Sequence, residues 1–260
     1  SNYKISGALG HLFSLNKKTP LVSDLVVGEG NTTEWYLGSL TETSTYTFFI
    51  DCNDNSRESN KLVIFQLLTT YVAGDRSWRL RVSTVSRRIS NPLENQNALD
   101  EIGNSFDQEA AAVLIGRLCV DNNFKGQDSK EALKWIDKTL IHLMTKFAKY
   151  TKDNPNTFKL TQKFNYFPQF IFYLRRSSFI QSFNESPDES TYYKYLLLGE
   201  SVENCIIMIQ PLLFEYTADN PTKVPVFLDL NSLKSDCVLL LDTRSEERRV
   251  GKECRSRWSP

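Results

Sequence analysis

Five arginines crowd one stretch of the chain: Arg76, Arg79, Arg81, Arg87 and Arg88. Arg79 and Arg81 stand two residues apart, the spacing that places side chains on one face of a strand, with Leu80 and Val82 expected to point inward. A row of guanidinium groups on a strand face suits an anionic surface such as acidic lipid head groups. These five are the candidate membrane-facing residues; the competing reading is a plain solvated strand face. A second basic pair, Arg175 and Arg176, sits among Phe164, Tyr166, Phe167, Phe170, Phe172, Tyr173, Phe179 and Phe183. Bases interleaved with rings can stack single-stranded nucleic acid. The helical spacing of these rings reads as core packing instead, and no nucleic-acid partner is expected.

Nothing in the sequence assembles a catalytic set. The two histidines, His11 and His142, are too few for most metal sites or triads. His142 lies between apolar neighbours and reads as a core or boundary residue. Gly28-Glu29-Gly30 lacks the third glycine and the following helix of a phosphate loop. Asp188 and Glu189 are adjacent carboxylates, but the start of a helix accounts for them. Cys52, Cys119, Cys205, Cys237 and Cys254 form no Cys-x-x-Cys pair, which argues against a zinc ribbon and against a disulfide framework. They read as small buried apolar residues of a reducing compartment.

The surrounding elements follow from periodicity. The 260 residues, 40% hydrophobic and 24% charged, have an ordinary globular composition. No apolar run reaches the roughly 18–20 residues of a membrane span. Residues 1–90 are short apolar or alternating runs, at Ile5–Gly10, Glu34–Gly38, Tyr46–Ile50, Leu62–Leu67 and Trp78–Val82. Turn-formers separate them, as expected of an antiparallel sandwich. The pattern then turns helical. Ser105 and Gln108 have capping-box spacing ahead of Glu109-Ala110-Ala111-Ala112. A second helix is predicted from Asp128 to Thr151 on the stripe Leu133, Ile136, Leu140, Leu143, Phe147 and Tyr150. Pro168 opens another before Arg176, Ser186-Pro187-Asp188-Glu189 caps the next, and Ser201 to Gln210 is the last. Val224–Leu228 and Cys237–Leu241 read as strands.

Several of these blocks carry a family resemblance. Ser105-Phe106-Asp107-Gln108-Glu109-Ala110-Ala111-Ala112, Phe167-Pro168-Gln169-Phe170 running on to Ser177, and Asn184-Glu185-Ser186-Pro187-Asp188-Glu189-Ser190-Thr191-Tyr192-Tyr193 resemble the Sec-twenty-three family. Gly7–Gly10, Ser77–Arg88 and Ile206–Pro211 extend the likeness, which runs in order over residues 3–243. That family is the GTPase-activating inner-coat subunit of COPII vesicles. The resemblance implies an α+β multidomain chain: a β-sandwich over 1–100, an all-helical domain over 101–220, and the first strands of a gelsolin-like domain over 221–243. It implies as partners the cargo-binding sister subunit, a Sar-type small GTPase, outer-coat subunits and an acidic membrane surface. The implied place is the cytosolic face of the endoplasmic reticulum membrane and the vesicles formed there. The family's zinc finger and vWA-like trunk would precede Ser1, so no cofactor is expected within these residues. Its arginine finger would follow Thr243, and no arginine here takes that role. The alternatives are the sister subunit itself or an unrelated adaptor of similar architecture.

Residues 244–260 stand apart. Arg244–Pro260 reads as a translated sequencing-library adapter and is expected to form no packed structure. It holds six bases and three acids, so the remainder carries 25 bases against 28 acids, a net charge of −3. That mildly acidic body lacks the positive field of a dedicated nucleic-acid binder.

Overall fold

The computed structural model describes residues 3–52, 61–90, 97–181, 186–218 and 222–244, together with the backbone of 247–250. In chain order the strands β1 (Tyr3–Leu9), β2 (Phe13–Ser14), β3 (Trp35–Tyr36), β4 (Thr47–Cys52), β5 (Leu62–Val72) and β6 (Trp78–Arg88) come first. Helices α1 (Ala98–Asn104), α2 (Gln108–Phe124) and α3 (Ser129–Phe147) follow, then β7 (Lys149–Thr151) and β8 (Asn154–Lys159). The last elements are α4 (Phe167–Arg176), α5 (Pro187–Gly199), α6 (Val202–Ile209), β9 (Leu212–Thr217), β10 (Val224–Val226), β11 (Cys237–Asp242) and β12 (Glu247–Val250). They divide into two compact bodies, one of residues 1–52 with 107–260, the other of residues 53–106.

In the larger body β1 pairs antiparallel with β4, and β2 with β3. The β1 ladder shifts register between Ile5 and Gly7. Gly7 has φ +147°, and a Cβ there would stand 2.1 Å from the Val27 carbonyl oxygen, so the loop can lie against the strand only at glycine. The helices pack around α2, which touches α3, α4, α5 and α6. Its buried face includes Ala112, Val113, Ile115, Gly116, Cys119 and Val120. Phe164, Phe167, Ile171, Leu174 and Leu197 are wholly enclosed. The rings at Phe164, Phe167, Phe170 and Phe179 are therefore core, as their spacing predicts, whereas Tyr166 and Phe172 stay exposed.

Helix starts follow cap chemistry closely. Ser186 accepts from the Glu189 N–H while the Glu189 carboxylate accepts from the Ser186 N–H, the predicted capping box. Ser201 caps α6 in the same way through the Asn204 N–H. The cap of α2 is displaced from the predicted one. Ser105 lies in helical backbone and closes the short helix α1; Asp107, in extended backbone, accepts from the Ala110 N–H at 3.0 Å. A capping side chain reaches forward only from an extended residue.

Three further expectations are corrected. The second helix stops at Phe147, not Thr151: Ala148 turns extended, and Lys149–Thr151 pairs with Asn154–Lys159 across a tight turn in which Asp153 has φ +65°. The segment 101–220 is thus not all helical, and β9 at its end departs from that reading again. Leu212–Thr217 is one of the two inner strands of a four-stranded sheet ordered β10-β9-β11-β12. Val224 onward therefore has a sheet, with a small core of Leu213, Cys237 and Leu239. The tail is the third case. Glu247–Val250 pairs antiparallel with Leu239–Asp242, because the edge of β11 presents unpaired backbone groups to any extended segment. Phe183, Asn184, Glu185 and Cys254 lie outside the described residues.

The smaller body is a hairpin with α1. β5 and β6 pair over eleven residues each, from Leu62↔Arg88 to Val72↔Trp78. The turn is closed by the Ala73 N–H to the Ser77 carbonyl and the Arg76 N–H to the Ala73 carbonyl. Arg76 takes φ +63° there. Leu80 and Val82 do not point into a core: they are 61% and 52% exposed, and Trp78 is 76% exposed. A two-stranded ribbon has no second layer of its own to cover either face.

Candidate functional site

The hairpin sorts the five arginines. The β5–β6 register puts Arg79, Arg81 and Arg87 on one face, opposite Tyr71, Thr69 and Val63. Arg88 falls on the other face, opposite Leu62, and Arg76 stands in the turn. The strand therefore brings three of the five together rather than all of them. Arg79 is already engaged: its guanidinium donates to Asp75 Oδ2 at 2.7 Å and to Ser77 Oγ at 3.2 Å. The Ser77 hydroxyl and N–H, with Arg79, hold the Asp75 carboxyl below its ordinary range. Arg87 donates to the Ser86 carbonyl, leaving its charge unneutralised by that contact.

The second basic pair is tied up. Arg175 makes a two-point ion pair with Asp137, at 2.8 and 3.0 Å. Arg176 lies over the Phe172 ring, 3.7 Å from its centroid, and donates to the Phe172 carbonyl. Neither arginine faces an open aromatic platform of the kind single-stranded nucleic acid needs.

Among the described residues histidine and cysteine reach no common centre. His142 is exposed rather than core, because it lies on the outer side of α3, away from Ile136. His11 stacks on Tyr195 with ring centroids 3.8 Å apart, and its Nε2 lies 2.8 Å from the Tyr195 carbonyl. A carbonyl only accepts, so Nε2 carries the proton. Cys119, Cys205 and Cys237 are buried and Cys52 is half-buried. Burial pushes the Cys119 thiol up to about 12. Among the described residues no group of His, Cys, Asp and Glu is placed to hold a metal ion, and no helix is long and apolar enough to cross a membrane.

A buried charge that sequence reasoning missed lies where the first strands meet the helices. Arg117, 2% exposed, rises from α2. Its Nε donates to the Leu197 carbonyl at 2.8 Å, and one terminal nitrogen donates to Thr45 Oγ1 at 2.7 Å and to the Glu200 carbonyl. Cys205 Sγ stands 3.5 Å from the same nitrogen. Thr45 adds its own bonds, N–H to the Gly199 carbonyl and hydroxyl to the Glu200 carbonyl. Leu197, Gly199 and Glu200 are the C-terminal end of α5, where the helix dipole is negative, so carbonyls rather than a carboxylate offset the guanidinium. Gly199 leaves room for the His11 ring, which a Cβ there would meet at 2.3 Å and displace. The signal was a lone charge inside the apolar run Val113 to Val120. Chemically this is a clamp, and it holds no group in position to react.

Comparison with known proteins matches both parts of this architecture. Residues 1–90 match the Sec23/Sec24 beta-sandwich domain, and residues 107–207 match the Sec23/Sec24 helical domain. The crystal structure of the human COPII-coat protein Sec24c is similar over 93% of this chain, with a TM-score of 0.69 at 15% identity. That degree of identity speaks to the fold alone, and the chain spans 29% of that protein's length. With its sandwich and helical segments matched in order over most of its length, the chain belongs to the Sec23/Sec24 family.

Proposed function

We propose that the chain is part of an inner-coat subunit of COPII vesicles, on the GTPase-activating Sec23 branch of the family. The observation that carries the coat reading is the pair of family domains in their order. The branch is favoured by the blocks Phe167-Pro168-Gln169-Phe170 and Ser186-Pro187-Asp188-Glu189 with Tyr192-Tyr193. They build the start of α4 and the capped start of α5. In this reading the present residues are scaffold: the Arg117 clamp fixes the first strands against the helices. The partners are the sister subunit, a Sar-type GTPase, outer-coat subunits and an acidic membrane surface at the endoplasmic reticulum. A second reading, the cargo-binding branch, is favoured by the likeness to Sec24c.

The complete protein that carries this segment should accelerate GTP hydrolysis by a Sar-type GTPase. An arginine finger contributes on the order of 10³–10⁵ in rate. Residues 1–243 alone should leave that rate unchanged. A complete protein that binds coat partners without accelerating hydrolysis belongs to the cargo-binding branch. Stimulation by residues 1–243 alone would place the arginine among those described above.

A further inference from the structure

Two stretches of the chain have two arginines followed, after one intervening residue, by serine: Arg87-Arg88-Ile89-Ser90 and Arg175-Arg176-Ser177-Ser178. Paired bases three and two residues before a hydroxyl are what an acidic substrate groove in a kinase recognises, through charge complementarity. The structure separates the two. Arg175 is bound by Asp137 and Arg176 by the Phe172 ring, and Ser178 runs directly into buried Phe179 and Ile180. At the first stretch Arg87 and Arg88 are exposed at the end of β6. Among the described residues the hairpin's outermost backbone bond is the Ile89 N–H to the Lys61 carbonyl, and Ser90 follows it. Its hydroxyl donates to Glu101 Oε2 of α1 at 2.6 Å.

We propose that Ser90 is a phosphoacceptor for a basophilic serine/threonine kinase, and that its phosphate weakens the hairpin's attraction to acidic lipid. In the transfer Ser90 Oγ bonds to the γ-phosphorus of magnesium ATP and the bond from that phosphorus to the bridging oxygen breaks. ADP leaves, and the hydroxyl proton passes to a carboxylate of the kinase. The product has no hydroxyl to donate to Glu101 and sets close to two negative charges against that carboxylate, so the tie between the end of β6 and α1 is lost. The same charge lies beside Arg87 and Arg88 and cancels part of the field the hairpin offers to lipid, an electrostatic switch. This second half rests on the membrane reading of the arginines.

The full chain is incubated with magnesium ATP and a purified kinase that requires two arginines before serine, and sites are mapped by mass spectrometry. Ser90 should be modified first and Ser178 at least tenfold less. The signal should vanish in Ser90→Ala and fall at least tenfold in an Arg87→Ala/Arg88→Ala variant. Modification of a peptide of residues 84–95 but not of Ser90 in the folded chain overturns the assignment, as does preferential modification of Ser178. Modified and unmodified chains are then floated with phosphatidylcholine–phosphatidylserine vesicles. Neutralising one to two bases should weaken binding roughly five- to thirtyfold. Equal binding by both forms overturns the switch. Binding by neither form overturns the membrane reading and with it the switch, while the mapping alone decides Ser90.

Discussion

Arg117 has five donors and almost no solvent, and it is met by two helix-end carbonyls, a hydroxyl and a thiol rather than by an acid. Substitution would remove the charge and take one donor from each carbonyl, leaving Glu200 with the Thr45 hydroxyl and Leu197 with the weak Cys205 thiol. Taking a donor from a buried acceptor costs about 1–3 kcal/mol per group. Arg117→Met should therefore lower the thermal midpoint by roughly 6–12 °C, and Arg117→Lys should not restore it, since a single ammonium cannot span Leu197, Thr45 and Glu200 together. A midpoint within a degree or two of the parent would show that water replaces the clamp. Cys119 permits a chemical check on the same packing. Its thiolate is disfavoured by burial, so in the folded chain an alkylating reagent at pH 8 should label Cys52 well before Cys119. Because the folded thiol titrates near 12 and the unfolded one near 9, that contribution to stability is intact below pH 9 and declines as pH rises towards 12. The burial of Cys119, Cys205 and Cys237 was legible in the sequence, that of Cys52 only in part; the clamp was not, because its acceptors are mostly backbone carbonyls, which carry no residue identity.

At the scale of elements, legibility followed how local the cause is. Caps are local, so Ser186 with Glu189 and Ser201 declared α5 and α6 in the sequence. Ser186→Ala should cost about 1 kcal/mol, read as a lower midpoint in chemical denaturation with an unchanged slope, and Ser186→Asp should recover most of it. An equal loss in both variants would point to packing at Ser186 instead of capping. Where two residues of cap type compete, as Ser105 and Asp107 do, the choice belongs to backbone conformation and the sequence does not carry it. Strands are less local still. Leu212–Thr217 follows a helix with a proline between and reads as the fringe of a helical segment; its identity as an inner strand comes from β10 and β11, up to a couple of dozen residues downstream. The short β7–β8 hairpin is hidden for a related reason, since the stripe of α3 continues in register through Tyr150 while the backbone has already turned at Ala148.

For the whole molecule, the membrane reading makes a graded demand on the arginines. Sequence spacing correctly put Arg79 and Arg81 on one face, but their charges are not equivalent. Arg79 is partly neutralised by Asp75, in an ion pair whose partners are each more than half exposed. An exposed pair of this kind is weak and yields to a stronger field, yet it reduces what Arg79 contributes at a distance. Each free base near an anionic bilayer contributes about 1 kcal/mol. Arg81→Glu should accordingly weaken flotation with anionic vesicles by an order of magnitude or more, and Arg79→Glu by less. Arg79→Glu combined with Asp75→Arg keeps a pair of the opposite order and should bind close to the parent. Arg175→Glu, far along the chain and bound to Asp137, should leave flotation unchanged while destabilising the helices. All the differences among the hairpin variants should shrink as salt rises from about 0.05 to 0.5 M, because exposed charges act over a Debye length that falls from roughly 14 to 4 Å across that range. Binding that ignores Arg81 at low salt, or that persists undiminished at high salt, would return the five arginines to a solvated strand face and leave the exposed apolar residues Leu68, Trp78 and Leu80 as the hairpin surface in need of an explanation.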